Sequence, residues 1–185
     1  MSVTVRLSAC CNGLMHINPY GEEPVRLACE LANDPPNSLA QLRSRCAEAD
    51  LVVEGRPSRA DLETTLRFLD AWLEVVDAPS DAARAGRLNA LLAEHSEHPR
   101  LTNHAGDGWH VHYRGRRSLG SMLAVVVSVG TAMHLTARGM HRLGRCGATD
   151  CDRVYADTSR NGQQAYCSPR CGSRSAVRRH RARAS

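Results

Sequence analysis

Four cysteines, Cys146, Cys151, Cys167 and Cys171, fall within 26 residues of a 185-residue chain. Four residues separate the first two, three separate the last two, and fifteen lie between the pairs. Two close pairs of thiolates across a short loop supply the ligands of one tetrahedral Zn²⁺. The other four cysteines, Cys10, Cys11, Cys29 and Cys46, are scattered and read as small buried or surface residues. Leu7, Ser8 and Ala9 before Cys10 have the letters of a lipoprotein cleavage site, but the apolar run ahead of them is far too short for a signal peptide. The chain is therefore expected in the cytoplasm, a reducing compartment where clustered cysteines hold metal rather than form disulfides.

The residues around the cysteines favour a folded metal module. Val154 to Ala156 and Ala165 to Tyr166 read as the strands of a hairpin about a turn-rich segment from Asp157 to Gly162, which carries the second pair back to the first. Ser168 is placed to cap a helix, Pro169 suits its first turn, and Cys171 lies in that turn. Knuckle, hairpin and helix together make a treble-clef-like finger in which the helix start favours thiolate charge. Four cysteine ligands leave no open position, so the zinc is expected to be structural. So small a module has almost no apolar core, and metal binding, on the order of 10 kcal/mol, is what folds it.

Charge is divided as unevenly as the cysteines. Every basic residue is arginine; residues 1–137 hold 13 against 16 acidic residues, whereas residues 138–185 hold 11 against Asp150, Asp152 and Asp157. The body is thus near neutral at −3 and the last segment carries +8, which calls for an anionic partner. On a helix, Arg170, Arg174, Arg178 and Arg181 share a sector of about 80° at about 100° per residue. With Arg179, Arg183 and the loop residue Arg160, they form a candidate nucleic-acid surface, since guanidinium groups in a row can track a phosphate backbone. Val177 is the only large apolar residue after Cys171, so the last turns have little to pack on. A solvated basic tail is the plainer account of the same charges.

The rest reads as a mostly helical body with small β-hairpins. Val3 to Leu7, Met15 to Ile17 and Val25 to Leu27 suggest short strands or loops between glycines and a proline. After Pro35 and Pro36, Ser38 opens a helix using Leu39, Leu42 and Cys46. Ser58 and Asp61 form a capping box before a stripe of Leu62, Leu66, Leu69, Leu73 and Val76, ended by Pro79. A third helix starts near Ser80 and uses Ala83, Leu88, Leu91 and Leu92. Leu101 to His104 and Trp109 to Tyr113 flank Gly106, Asp107 and Gly108 as a β-hairpin. A helix from Ser118 to about Leu143 includes twenty uncharged residues; its serines, threonines and His134 favour a core helix over a membrane span. Gly144 marks the expected division into a helical domain, 1–143, and a finger with a basic helix, 144–185. His110 and His112 alternate along a strand near His95, His98 and His104, which suits a solvent-facing surface as well as a second metal. No P-loop, dinucleotide fingerprint, nucleophile elbow or zinc-protease motif occurs, and an enzyme is not expected.

Cys146 and Cys151, then Tyr155, Asp157, Ser159, Arg160 and Asn161, then Tyr166, Cys167 and Ser168, then Cys171, Gly172, Ser173 and Arg174 resemble the CGNR zinc fingers of bacteria. That resemblance implies a preceding helical ABATE domain linked to stress-induced transcription regulation. Leu31, Ala32 and Asn33, and the segment Leu88 to Leu91, are similar to two of its motifs. Ser173 stands where the family has the asparagine of its name, and Gln163 and Gln164 stand where basic residues often precede the aromatic. Three functions fit: a transcription regulator binding double-stranded DNA, with a helical domain that senses a small-molecule effector or forms a homodimer; an RNA-binding module; or a protein-interaction adaptor whose finger is only structural. None of the three involves a membrane.

Overall fold

Five serines divide the chain into its helices. In the computed structural model, which describes residues 21–51, 56–98, 100–102, 110–112 and 118–183, the order is α1 (Glu22–Asn33), α2 (Leu39–Glu48), α3 (Arg59–Val76), α4 (Asp81–His95), β1 (Arg100–Thr102), β2 (His110–His112), α5 (Leu119–Arg138), a 3₁₀ turn (Met140–Arg142), β3 (Leu143–Arg145), β4 (Val154–Ala156) and α6 (Pro169–Arg183). Side-chain oxygens of Ser38, Ser80 and Ser118 accept from backbone amides in the first turns of α2, α4 and α5, and Ser58 with Asp61 closes a capping box on α3. The fold is mostly helical, with two antiparallel two-stranded pairings, β1 with β2 and β3 with β4.

Helix α5 is the axis of the body. Residues Leu119 and Met122 to Val127 are buried, as are Ser128 to Thr131, His134 and Leu135, because α1, α3 and α4 pack around it. Its length and mean hydropathy of 1.6 would suit a membrane span, yet 78% of that window is covered by the fold itself, so it is the core helix that its polar residues suggested. Asp61 joins the starts of α3 and α5: it closes the capping box and also accepts from the Gly120 amide at 2.9 Å. Further along, the Trp72 indole donates to Thr131 Oγ1 at 3.0 Å. Both contacts span 59 residues, so α3 and α5 run parallel in one constant register. Gly130 lets α1 begin against α5, since a Cβ there would lie 2.5 Å from the Pro24 ring.

Four expectations change. Val25 to Leu27 is not a strand but part of α1, which starts at Gly21 (φ 62°) with no side-chain cap and carries Glu22 and Glu23 in its first turn. The buried face of α3 is centred on Thr65, Phe68, Trp72 and Val75, while Leu62, Leu66 and Leu73 are only half-buried at its margin. Helix α5 ends at Arg138 because Gly139, at φ 111°, turns the chain into the 3₁₀ turn. Gly144 therefore lies within β3, opposite Tyr155, and ends no helix. The expected strands in residues 1–20 and the turn at residues 106–108 lie outside the described residues; the expected pairing of the flanking strands is present, with Leu101 opposite Val111.

The β3–β4 hairpin is built into the helical body. Leu143 and Val154 are both 2% exposed and belong to the same apolar cluster as Val25, Leu31, Trp72 and Leu135. Asn33, the last residue of α1, treats β4 as a strand partner: its amide nitrogen donates to the Val154 carbonyl at 2.8 Å and its oxygen accepts from the Val154 amide at 2.7 Å. Arg145 forms a two-pronged pair with Asp77 at 2.8 and 2.7 Å, and Arg26 donates to Thr158 Oγ1 at 2.7 Å. Asn33→Ala removes the partners of both backbone groups of Val154 and is expected to cost about 1–3 kcal/mol, read as a lower urea midpoint of the whole protein.

Candidate metal centre

Cys146 follows β3 directly and Cys151 stands three residues before β4, so the hairpin itself forms the knuckle. The Cys146 amide donates to the Arg153 carbonyl at 2.8 Å and the Cys151 amide to the Ala148 carbonyl at 3.1 Å, which closes the tight turn between the first two thiols. The second pair arrives on α6. Ser168 Oγ accepts from the Cys171 amide at 3.3 Å, capping the helix as its position predicted. A backbone bond from the Gly147 amide to the Ala165 carbonyl at 2.8 Å helps to link the halves. The expected hairpin between Val154–Ala156 and Ala165–Tyr166 is not formed. Strand β4 pairs with β3 instead, with Arg145 opposite Val154, and residues 157–166 return as a loop.

That loop is wound around a buried ion pair. The Asp157 carboxylate is 1% exposed and accepts from the Ser159 amide at 2.8 Å, the Ser159 hydroxyl at 2.5 Å and the Gln164 amide at 3.0 Å. The Arg142 guanidinium lies 3.4 Å from it and also donates to the Ser159 carbonyl at 2.7 Å. Gly162, at φ 69°, rests over that guanidinium, where a Cβ would come within 2.6 Å of it. Burial pushes the Asp157 carboxyl up, but the Ser159 and Gln164 donors and the Arg142 charge outweigh it and hold the group below its ordinary value. The Arg142 carbonyl accepts from the Asp157 amide at 2.7 Å and is 3.4 Å from His134 Nε2, so the core helix, the 3₁₀ turn and the loop meet at one residue.

The four cysteines converge as their spacing predicted. All four sulfurs lie within 4.8 Å of one another, with Cys151 to Cys167 at 3.6 Å and Cys167 to Cys171 at 3.7 Å. A tetrahedral zinc with Zn–S bonds of about 2.3 Å sets its sulfurs roughly 3.8 Å apart, whereas a disulfide brings them to about 2.0 Å. The geometry fits a metal, and all four cysteines are free. The Cys167 amide points at Cys146 Sγ from 3.4 Å, a donor to thiolate charge. The Cys167 thiol is pushed up to about 12 by burial and by its thiol neighbours. Cys171 is brought down to about 6, first by the Ser168 hydroxyl and then, against some desolvation, by neighbouring thiols and Arg174. Apart from the ligands, only Ala148 and Tyr166 among the described apolar residues pack here, so one structural zinc ion supplies what an apolar core would.

The candidate arginines divide into two groups. All seven, Arg160, Arg170, Arg174, Arg178, Arg179, Arg181 and Arg183, are exposed, and they differ in the partners they reach. Arg174 and Arg178 reach back to one carboxylate oxygen of Asp150, at 3.1 and 3.6 Å, and Arg179 donates to the Tyr166 hydroxyl at 2.7 Å. Arg181 is exposed one turn beyond Val177, itself 51% exposed. Asp150 was the residue sequence reasoning missed; an acid between two cysteines facing a basic helix was the available signal. Cys29 and Cys46 are buried in the helical core with thiols pushed up to about 12, first of all by burial, which leaves no reactive thiolate. Cys10, Cys11 and His104 lie outside the described residues, as do the side chains of His110 and His112, so the second-metal reading falls there. Of the remaining histidines, His95 packs edge-on against Phe68 at 5.3 Å between ring centroids.

Residues 142–184 match the family model of the CGNR zinc finger. A comparison with curated proteins gives no match. The matched segment starts at Arg142 and so spans this chain's Arg142–Asp157 pair and β3 as well as the four cysteines.

Proposed function

We propose that this chain is a non-enzymatic bacterial transcription regulator of the cytoplasm that binds duplex DNA through α6 and Arg160. The observation that carries the reading is the exposed face of α6. Cys171 is buried and Ser175 half-buried on the side toward the cysteine cluster, while Ser173, Val177 and His180 point the opposite way and are exposed. At about 100° per residue, Arg170 and Arg181 border this short-chained stripe on one side and Arg179 and Arg183 on the other. A narrow uncharged face between two arginine edges suits a major groove, in which the edges meet the phosphates of the two strands.

The tyrosines favour a duplex over single strands. Tyr166 is packed against the cysteines with its hydroxyl engaged by Arg179, and Tyr155 is half-buried in β4, so neither offers a free ring for stacking bases. Residues 1–143 serve in this reading as an ABATE-like domain that senses a small-molecule effector or forms a homodimer, and residues 144–185 as the DNA-contacting finger. Asn33, in the Leu-Ala-Asn segment, gives the first part a direct grip on the second.

Fluorescence anisotropy with labelled duplex DNA, duplex RNA and single-stranded RNA at several salt concentrations tests the proposal. Binding to DNA is expected to weaken linearly in log salt by about 0.9 for each phosphate neutralised. Arg170→Gln is expected to lower that slope by about one. Tighter binding to RNA would move the assignment to an RNA module, and absence of salt-dependent binding to any of the three would leave the adaptor.

A further inference from the structure

Arg174 does something the other arginines of α6 do not. It stands three residues after Cys171, so helical geometry aims it back over that ligand, and its Nη2 lies 3.5 Å from Cys171 Sγ in donor geometry. Its other terminal nitrogen, Nη1, is 3.1 Å from Asp150 Oδ2, and Asp150 lies in the knuckle between Cys146 and Cys151. Among the described residues, no other charged side chain is placed against a ligand sulfur. A zinc ion with four thiolates carries a net charge of −2, which a centre with half-buried ligands must offset from nearby donors. The Cys167 amide supplies one such donor to Cys146.

We propose that Arg174 is a positioning residue of the metal centre: its guanidinium donates to the Cys171 sulfur and offsets thiolate charge, while Asp150 fixes its orientation from the opposite ligand pair. The arginine thereby joins the helix half of the site to the knuckle half without touching the metal. Arg174 is engaged by the metal site although its side chain stays exposed, and the phosphate-tracking row on α6 is shorter than its arginine spacing implies. Arg178, 3.6 Å from the same Asp150 oxygen, braces the carboxylate from the next turn.

The test uses the full chain loaded with Co²⁺, whose sulfur-to-metal charge-transfer band reports the energy of the thiolate lone pairs. Loss of a second-layer partner costs a metal site about 10–100-fold in affinity. Arg174→Gln is expected to lose Co²⁺ to a chelator at a concentration lower by that factor, and its band is expected to move to longer wavelength as the sulfur loses its donor. Arg174→Lys, which keeps the charge but not the fork, is expected to fall between wild type and the glutamine variant. Asp150→Asn should shift both readouts in the same direction by less. Arg43→Gln, which removes an exposed charge on α2, serves as the control and should match wild type. Unchanged affinity in Arg174→Gln overturns the proposal. So does weaker affinity with an unmoved band, because Arg174 would then only brace the helix.

Discussion

Replacing Cys167 with serine is expected to abolish zinc binding and to melt residues 167–183 while the helical body, with the Asp157–Arg142 pair, stays folded. The sulfur of Cys167 is the one placed close to both Cys151 and Cys171, at 3.6 and 3.7 Å, so its loss opens the site between the two halves. Little else holds α6: Cys171 is its one buried residue, and the small cluster around it consists mostly of the ligands themselves. Zinc binding worth on the order of 10 kcal/mol in comparable fingers far exceeds what those few contacts supply. The melting should stop at the Asp157 loop and the hairpin. Strands β3 and β4 are held from the body side by Leu143 and Val154 in the main core, by Asn33 and by the Asp77–Arg145 pair. Metal analysis should give no zinc, and far-UV circular dichroism should lose the signal of the 15-residue α6. The main thermal transition should persist. A variant that retains one zinc per chain would refute the ligand assignment.

Asp157→Ala is expected to cost about 3–5 kcal/mol, because it strands the Arg142 guanidinium in a site where the two side chains are 11% and 2% exposed. The loss is not confined to charge. Three donors from Ser159 and Gln164 also lose their acceptor, and the loop that delivers Cys167 loses the group around which it is wound. Because Arg142 is continuous with the core helix through its carbonyl, the change should lower the stability of the body as well as the affinity for zinc. The pH dependence has a definite sign. The folded carboxyl lies below its ordinary value near 3.8, so its stabilisation is complete above that value and disappears as pH falls through the lower folded one. Protonation of thiolates also expels metal as pH falls, so both effects weaken the finger in acid. Acid titration of Asp157→Asn followed by tryptophan fluorescence should show a shallower loss below about pH 4 than wild type; an identical profile would count against this role.

How much of this was legible depended on whether a signal was local. The caps were local. Ser38, Ser58, Ser80, Ser118 and Ser168 each announce a helix to their own next turn, and each does so in the structure. Ligand convergence was nearly as legible, since two short spacings across a fifteen-residue loop leave little freedom. Helix α1 was missed because its start has no side-chain cap and a left-handed glycine instead. The face of α3 was misjudged because leucine spacing alone cannot tell which row meets α5; Trp72 finds Thr131, 59 residues away. The strand partner of β4 was misassigned for the same reason. Its register depends on Asn33, 121 residues earlier, and on burial of Leu143 beside Val154. Asp157 could have been found locally, since Asp followed two residues later by Ser is an Asx-turn pattern. Its pairing with Arg142 could not.

In the proposed function a structural zinc centre presents α6 to a duplex. That role is tested most directly by titrating one labelled DNA duplex with zinc-loaded and chelator-stripped protein at low and moderate salt. Salt-sensitive binding by the loaded protein should weaken sharply when zinc is removed and return when zinc is restored. Equal binding by the stripped protein, or no salt-dependent binding by the loaded one, would contradict that role.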